Sequence, residues 1–338
     1  MNEPRAITRH SEHLSPDQLR ELYREMVRFR RFEEAAARAY GMGKIHGFCH
    51  LHIGQEAIAA AVGAVHQPND IVIGGYRTHT MALSLGMENQ SAMDELFGKA
   101  TGCVQGLGGS MHLFAPDKGF YGGWGLVGQQ VPTAAGFAFG QQYRENGGAT
   151  MVFIGDGAVH QGAIHETLNL ASIWDLPLVT VIENNHYGMG TAVDRVSSLP
   201  PLHELGAPYK IEHWAFDGMD VLASYDALFE AMKIARETSR PVFLEATCSR
   251  FRGHSMSDPG KYRTREQLEA ERGRDPIPRF GNDLVDRGVL TKDDLKTIDD
   301  EQKAIMKTVL ENAENAPLPD LDLIDRYVYA DQGGQRHE

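Results

Sequence analysis

The chain has 338 residues, 42% of them hydrophobic and 23% charged, with a formal net charge of −13. That composition describes a globular protein of one or two domains with a substantial core, and it excludes disorder as the default state. The acidic balance argues against a nucleic-acid or anionic-membrane surface, so any anionic ligand must be met by a local basic pocket.

Cys49, Cys103 and Cys248 stand far apart with no Cys-x-x-Cys, which fits a reducing compartment and offers no disulfide or zinc framework. The N-terminal stretch carries Glu3, Glu12 and Asp17 and lacks an apolar run, so neither a secretory signal nor an acid-poor transit peptide is expected. The cytoplasm is the simplest compartment, with the mitochondrial matrix as the alternative if a transit peptide has been removed.

Ser15 followed by Leu19, Leu22, Met26 and Phe29 has capping chemistry and near-helical apolar spacing, which predicts an amphipathic helix over 16–40. A loop from His50 to Gln55 leads into a helix of small residues, Glu56 to Val65. Ile71-Val72-Ile73 reads as a short buried strand that ends at Gly74-Gly75 and delivers Tyr76 and Arg77 to a loop.

Phe120 to Tyr143 is a run of 24 residues without a charge, long enough to cross a membrane. Its six glycines, four glutamines and Pro132 oppose that reading and point to a close-packed backbone that approaches a ligand. Within it, Gly123-Trp124-Gly125-Leu126-Val127-Gly128 satisfies the dinucleotide glycine pattern of a nicotinamide oxidoreductase. It follows Lys118-Gly119-Phe120-Tyr121 rather than a clean strand, and the acid expected some 20 residues on, Glu145, stands in a charged turn.

Met151 to Ile154 forms a strand that stops at Gly155-Asp156-Gly157, Ile164, Leu168 and Ala171 mark one helix face, and Pro177 to Ile182 is the next strand. Two further helix–strand steps follow, with Leu228, Met232 and Ala235 on a helix before the strand Val242-Phe243-Leu244, near Arg250. The alternation predicts an α/β fold with a doubly wound, mostly parallel sheet and helices on both faces. Residues 249–272 are expected to be a loop that orders around a ligand, while from Thr264 onward the chain reads as helical again, and Thr291 to Asp294 resembles a capping box that opens a helix to about Asn312. No repeat or low-complexity linker divides the chain. It reads as one domain: an N-terminal helix (16–40), an α/β core (50–250), and an active-site loop with C-terminal helices (251–338), the tail after Pro317 being a surface strap.

The 26 residues from 158 to 183 suffice for one helix and one returning strand, so Gly155-Asp156-Gly157 and Asn184-Asn185 arrive on the same edge of a parallel sheet. Magnesium takes about six oxygen ligands, some from the protein and some from phosphates and water. Asp156 supplies a carboxylate, Asn185 an amide oxygen and Tyr187 a backbone carbonyl, while Gly155 and Gly157 let a phosphate approach without a Cβ clash.

This pairing is similar to the thiamine diphosphate fingerprint. Together with Glu183-Asn184-Asn185-His186-Tyr187-Gly188-Met189-Gly190 and Gly253-His254-Ser255-Met256-Ser257-Asp258-Pro259-Gly260, it makes the chain resemble a family over roughly residues 16–330. That family is the thiamine diphosphate-dependent 2-oxo acid dehydrogenases, in particular the alpha subunits of the pyruvate-decarboxylating component.

The resemblance implies that Asp156, Asn185 and Tyr187 hold magnesium, and that Tyr76, Arg77, Gly157, Ala158 and Arg250 hold the diphosphate. Gly125 and Val127 match the stretch against the aminopyrimidine, and His50 and His254 match the histidines that face the thiazolium and the substrate. Histidines suit proton handling near pH 7, with His254 placed to position the acyl group and His50 to assist substrate binding. The implied activity is oxidative decarboxylation of pyruvate and transfer of the acetyl group to the lipoyl group of a dihydrolipoyl acyltransferase. An activating glutamate belongs to a separate beta subunit, which implies two alpha and two beta chains. Acetoin and branched-chain 2-oxo acid dehydrogenase alpha subunits share the fingerprint, and an inactive interaction protein is the remaining alternative. Ser255 matches a phosphorylated serine of the animal members, whose second serine is missing here.

Overall fold

The computed structural model describes residues 7–199 and 201–327. The last part of the expected surface strap, beyond Tyr327, and the acidic start at Glu3 lie outside the described residues. In chain order the structure runs through α1 (Pro16–Gly41), α2 (Glu56–Val65), β1 (Ile71–Gly74), α3 (His79–Ser84), α4 (Asn89–Leu96), β2 (Phe120–Gly123), α5 (Gln130–Tyr143), β3 (Thr150–Gly155) and α6 (Gly162–Ile173). It continues through β4 (Leu178–Asn184), β5 (Tyr187–Gly188), β6 (Thr191–Ala192), β7 (Glu212–Asp217), α7 (Val221–Thr238), β8 (Val242–Thr247), α8 (Arg265–Arg272), α9 (Pro276–Asp286), α10 (Lys292–Asn315) and α11 (Leu323–Arg326).

Six strands form one sheet in the order β2-β1-β3-β4-β8-β7, every pair parallel. The chain leaves β1 toward β2 on one side and returns to β3 on the other. The order therefore reverses between β1 and β3, and a crevice opens beyond their carboxyl ends. Those ends carry Gly74-Gly75-Tyr76-Arg77 and Gly155-Asp156. In β3 and β4, Gly155 stands opposite Glu183, so Asp156 and Asn184-Asn185 emerge side by side.

Both faces of the sheet are covered, as parallel strands require. Val72, Met151, Phe153, Val179, Val181 and Leu244 pack toward α1, α2 and α7 in one core cluster. Their alternates Ile73, Val152, Ile154, Ile182 and Phe243 join Val131 of α5 and Leu168 of α6 in the other. α1 starts at a capping box between Ser15 and Gln18, buries Leu19, Leu22, Met26 and Phe29, and packs beside α10. α10 is itself opened by a capping box between Thr291 and Asp294. The small side chains of α2 admit close neighbours: a Cβ on Gly63 would lie 2.5 Å from the carbonyl oxygen of Ser84 in α3.

The structure departs from the sequence expectations in three places. Residues 265–272 are helix α8, begun by a capping box between Thr264 and Gln267, as the helical reading from Thr264 onward expects, and the loop expected over 249–272 ends before it; the polar composition that suggested a longer loop is that of an exposed helix. The uncharged run contains a four-residue edge strand, β2, and the helix α5. Neither shows in the apolar pattern, because the strand is half glycine and the helix is built from Ala, Gly and Gln. A strand thus does precede the dinucleotide-like glycines. In a dinucleotide fold, however, the following strand lies beside the first, and here β1 separates β2 from β3. Glu145 sits in the turn after α5 with φ of +51°. Among the described residues no helix is long and apolar enough to cross a membrane.

Candidate active site

The crevice at the strand ends is a cleft of about 920 Å³. All twelve site residues expected from the sequence line it: His50, Tyr76, Arg77, Gly125, Val127, Asp156, Gly157, Ala158, Asn185, Tyr187, Arg250 and His254.

Asp156 opens a short 3-10 turn, Asp156–Ala158, directly after β3. It is buried, and its Oδ2 has no hydrogen-bond partner. Burial pushes its carboxyl above the usual value, although nearby backbone hydrogen bonds and the charge of Arg250 act the other way. Facing it, the segment after β4 folds back as the small β5–β6 hairpin, with Tyr187 paired to Ala192. The two Asn side chains divide the work. Asn184 Oδ1 accepts from the backbone N–H of His186 at 3.0 Å, and its Nδ2 donates to Glu245 at 2.7 Å. That bracing accompanies the left-handed conformation of His186, φ +69°. Asn185 Oδ1 instead accepts from Arg250 at 3.1 Å, and the Tyr187 carbonyl oxygen lies 3.5 Å from the same nitrogen. The two halves meet at glycine on glycine: a Cβ on Gly157 would lie 3.1 Å from the Cα of Gly188.

Arg77 is buried and donates to the carbonyls of Leu51 and His254, both at 2.6 Å. Burial, then repulsion from Arg250, pushes its guanidinium down to about 10. Among the described residues neither Arg77 nor Arg250 has a carboxylate within 4.0 Å. Two buried cations without an anion are costly alone and well matched to a phosphate.

His50, Tyr76 and His254 form a ring cluster with centroids 4.5 Å, 5.1 Å and 5.6 Å apart. Burial, then the charge of Arg77, pushes His50 down to about 3 and His254 down to about 4. Both Nδ1 atoms are buried without partners. Both imidazoles are therefore held neutral near pH 7, first by burial and then by the charge of Arg77. The loop carrying His254 is knotted around Asp258, which accepts from the N–H of His254 at 2.6 Å, the N–H of Gly260 at 2.8 Å and the hydroxyl of Tyr262 at 2.8 Å.

The chain matches the family model described as "Dehydrogenase E1 component" over residues 24–322. It belongs to the dehydrogenase E1 component family. It is 45% identical over 307 residues to the pyruvate dehydrogenase E1 component subunit alpha of Rickettsia conorii, covering 91% of this chain and 94% of that one. The like-named protein of Rhizobium meliloti is 44% identical over 300 residues, 88% of this chain and 86% of the other. That of Porphyra purpurea is 38% identical over 325 residues, 94% of each.

Behind the cleft this E1-family chain holds a buried polar network that its sequence did not disclose. Glu33, on the buried face of α1, accepts from the backbone N–H of His52 at 2.9 Å and bonds His79 Nδ1 at 2.9 Å. His79 reaches Ser110 Oγ at 2.8 Å, and Ser110 meets the backbone N–H of His50 at 3.3 Å. His52 Nε2 lies 2.7 Å from Glu183 of the cleft wall, while its Nδ1 meets Thr80 at 2.6 Å. The available signal was Glu33 itself, a carboxylate four residues after Phe29 on an apolar helix face. The three cysteines stay apart, and burial raises each thiol, Cys49 to about 12 and Cys103 to about 11, which fits inert side chains.

Proposed function

We propose that this chain is the alpha subunit of a pyruvate-decarboxylating E1 component that binds thiamine diphosphate and magnesium, decarboxylates pyruvate and passes the acetyl group to the lipoyl group of a dihydrolipoyl acyltransferase. The observation that carries the reading is a charge pattern: a buried, partnerless carboxylate oxygen on Asp156 shares one cleft with two buried arginines that have no carboxylate.

The residues fit the groups. Asp156 Oδ2, Asn185 Oδ1 and the Tyr187 carbonyl are all hard oxygen donors of the kind magnesium takes, and the last two already face a guanidinium, that of Arg250. Arg77 and Arg250 would clamp the diphosphate, with the 3-10 turn at Gly157 and Ala158 presenting backbone to it. When bound, thiamine diphosphate supplies the electron sink for decarboxylation of a 2-oxo acid. His50 and His254, held neutral, would each offer an N–H to the substrate carboxylate or the acyl oxygen without competing for the diphosphate as cations.

A beta subunit and a tetramer of two alpha and two beta chains complete the reading. Supporting it, α5 and α6 leave Phe139, Tyr143, Ile173 and Trp174 exposed as a cluster, with Leu126 and Val127 exposed at the cleft mouth. Such patches mark protein interfaces. The relatives named as pyruvate dehydrogenase subunits favour pyruvate over acetoin or branched-chain 2-oxo acids. The test is turnover of pyruvate and branched-chain 2-oxo acids by the chain alone and mixed with a beta subunit. Turnover of pyruvate in the mixture alone is expected; turnover by the isolated chain, or preference for branched substrates, would overturn it.

A further inference from the structure

On the far edge of the sheet, away from the cleft, three side chains converge that the proposed reaction does not use. His203 and Glu204 lie on a 3-10 segment, Leu202–Tyr209, and His213 lies on the edge strand β7. One ligand atom from each lies within 4.8 Å of the other two, and no other such group of three occurs among the described residues.

The backbone that brings them together is tightly made. Leu202, Leu205 and Ile211 are buried in a core cluster, and the N–H of Ile211 donates to the Gly206 carbonyl at 3.1 Å. The turn sits so close to the strand that a Cβ on Gly206 would lie 3.0 Å from the Cβ of His213. The backbone N–H of His203 is held by Glu245 at 3.0 Å. Ligand positions on this unit are therefore set by packing rather than by free loops.

The side chains are arranged as metal ligands are. His213 Nδ1 lies 2.8 Å from the carbonyl of Ile211, an acceptor that fixes the proton on Nδ1 and leaves Nε2 with a lone pair. That Nε2 faces Glu204 Oε2 at 3.7 Å, so two electron-rich atoms confront each other with room for a cation between them. The His203 ring lies 5.6 Å from the His213 ring, and its Nδ1 is buried with no hydrogen-bond partner. Around a tetrahedral ion with bonds near 2.0–2.2 Å, donors stand roughly 3.3–3.5 Å apart. The His213–Glu204 pair at 3.7 Å stands close to that spacing, and Glu204, half exposed, is free to adjust.

We propose that His203, Glu204 and His213 bind one divalent transition-metal ion of the zinc class, with water in the open position, and that the ion clamps the 202–209 turn onto β7. Two imidazoles and one carboxylate suit zinc and its neighbours and are poor ligands for magnesium or calcium. The competing arrangement is a protonated His213 paired with Glu204 and no metal.

The test uses the full chain in complex with a beta subunit, saturated with thiamine diphosphate and magnesium and stripped of transition metals by a chelator. Zinc is titrated in competition with a chromophoric chelator, and cobalt(II) serves as the spectroscopic probe. One tight zinc per alpha chain is expected, with visible cobalt absorption of four-coordinate strength and a zinc-dependent rise in Tm. His203→Ala and His213→Ala should each weaken zinc binding by about a hundredfold and abolish the cobalt bands, and Glu204→Gln, on an exposed side chain, by about tenfold. Asp156→Asn should leave the zinc site intact. Equal zinc binding in the wild type and the Glu204→Gln and His213→Ala variants, or loss of the tight site in Asp156→Asn alone, would overturn the proposal and leave the plain ion pair.

Discussion

Arg77→Met separates stability from ligand binding in a way that follows from the burial of this cation. Arg77 is 8% exposed, and its guanidinium is pushed down to about 10 by burial and by Arg250, against an ordinary value above about 12. Two units or so, at about 1.4 kcal/mol each, amount to roughly 3 kcal/mol of charging cost in the ligand-free fold. Because the folded value is depressed, that cost is complete at pH values below about 10, fades between there and the unfolded value and is gone above it, so at pH 7 it is fully present. Methionine removes it but leaves the carbonyls of Leu51 and His254 without their donor, a loss of about 1–3 kcal/mol each when buried. The two effects oppose, and the ligand-free complex should fall between about 1 kcal/mol more stable and about 3 kcal/mol less stable. A phosphate loses charge-assisted hydrogen bonds worth about 1.5–3 kcal/mol, which weakens thiamine diphosphate roughly tenfold to 150-fold. Calorimetry on the alpha–beta complex, with urea unfolding alongside, reads both quantities, and unphosphorylated thiamine is the control. An unchanged Kd for thiamine diphosphate, or an equal loss for thiamine, would refute the reasoning.

Asp156→Asn removes a buried carboxylate whose Oδ2 lacks a partner; ligand-free stability should hold or rise slightly, while magnesium-dependent thiamine diphosphate affinity falls at least about tenfold, as a magnesium titration by calorimetry would show. His50 and His254 are disfavoured as cations in the fold, at about 3 and about 4. Their contribution is therefore intact above an unfolded value near 6.5 and lost as the pH falls from there toward 3. His50→Gln and His254→Gln should flatten that acid limb in urea midpoints measured from pH 7 to 4, and an unaltered limb in both would count against the assignment. Glu95 is buried and accepts the N–H groups of Val104, Gly106, Gly108 and Gly109 at 2.7–3.0 Å. Glu95→Gln turns an amide donor toward two of them, and should cost about 2–4 kcal/mol in denaturant unfolding and loosen the loop that carries Ser110 and Met111.

The Asp156 end of the cleft was legible because it is local. A strand, a helix and a returning strand are short enough for spacing alone to place Asp156 beside Asn185, and the parallel register of Gly155 with Glu183 completes the placement. Tyr76, Arg77 and Arg250 were legible for the same reason, each following a strand end. What escaped depends on contacts between distant segments. Glu33, His79 and Ser110 meet His50 through α1, α3 and a glycine-rich loop, and no periodicity in any one segment encodes that meeting. The neutral state of His50 and His254 depends on burial next to Arg77, which composition does not reveal. α5 was missed because its Ala and Gly positions lack an apolar stripe, while its Phe139 and Tyr143 point outward.

The most direct test of the account is a crystal structure of the alpha–beta complex with thiamine diphosphate and magnesium. The account predicts a metal ion bound to Asp156, Asn185 and the Tyr187 carbonyl at about 2.0–2.1 Å, with Arg77 and Arg250 on the diphosphate. A diphosphate bound away from Arg77 and Arg250, or a metal that leaves Asp156 uncoordinated, would contradict it.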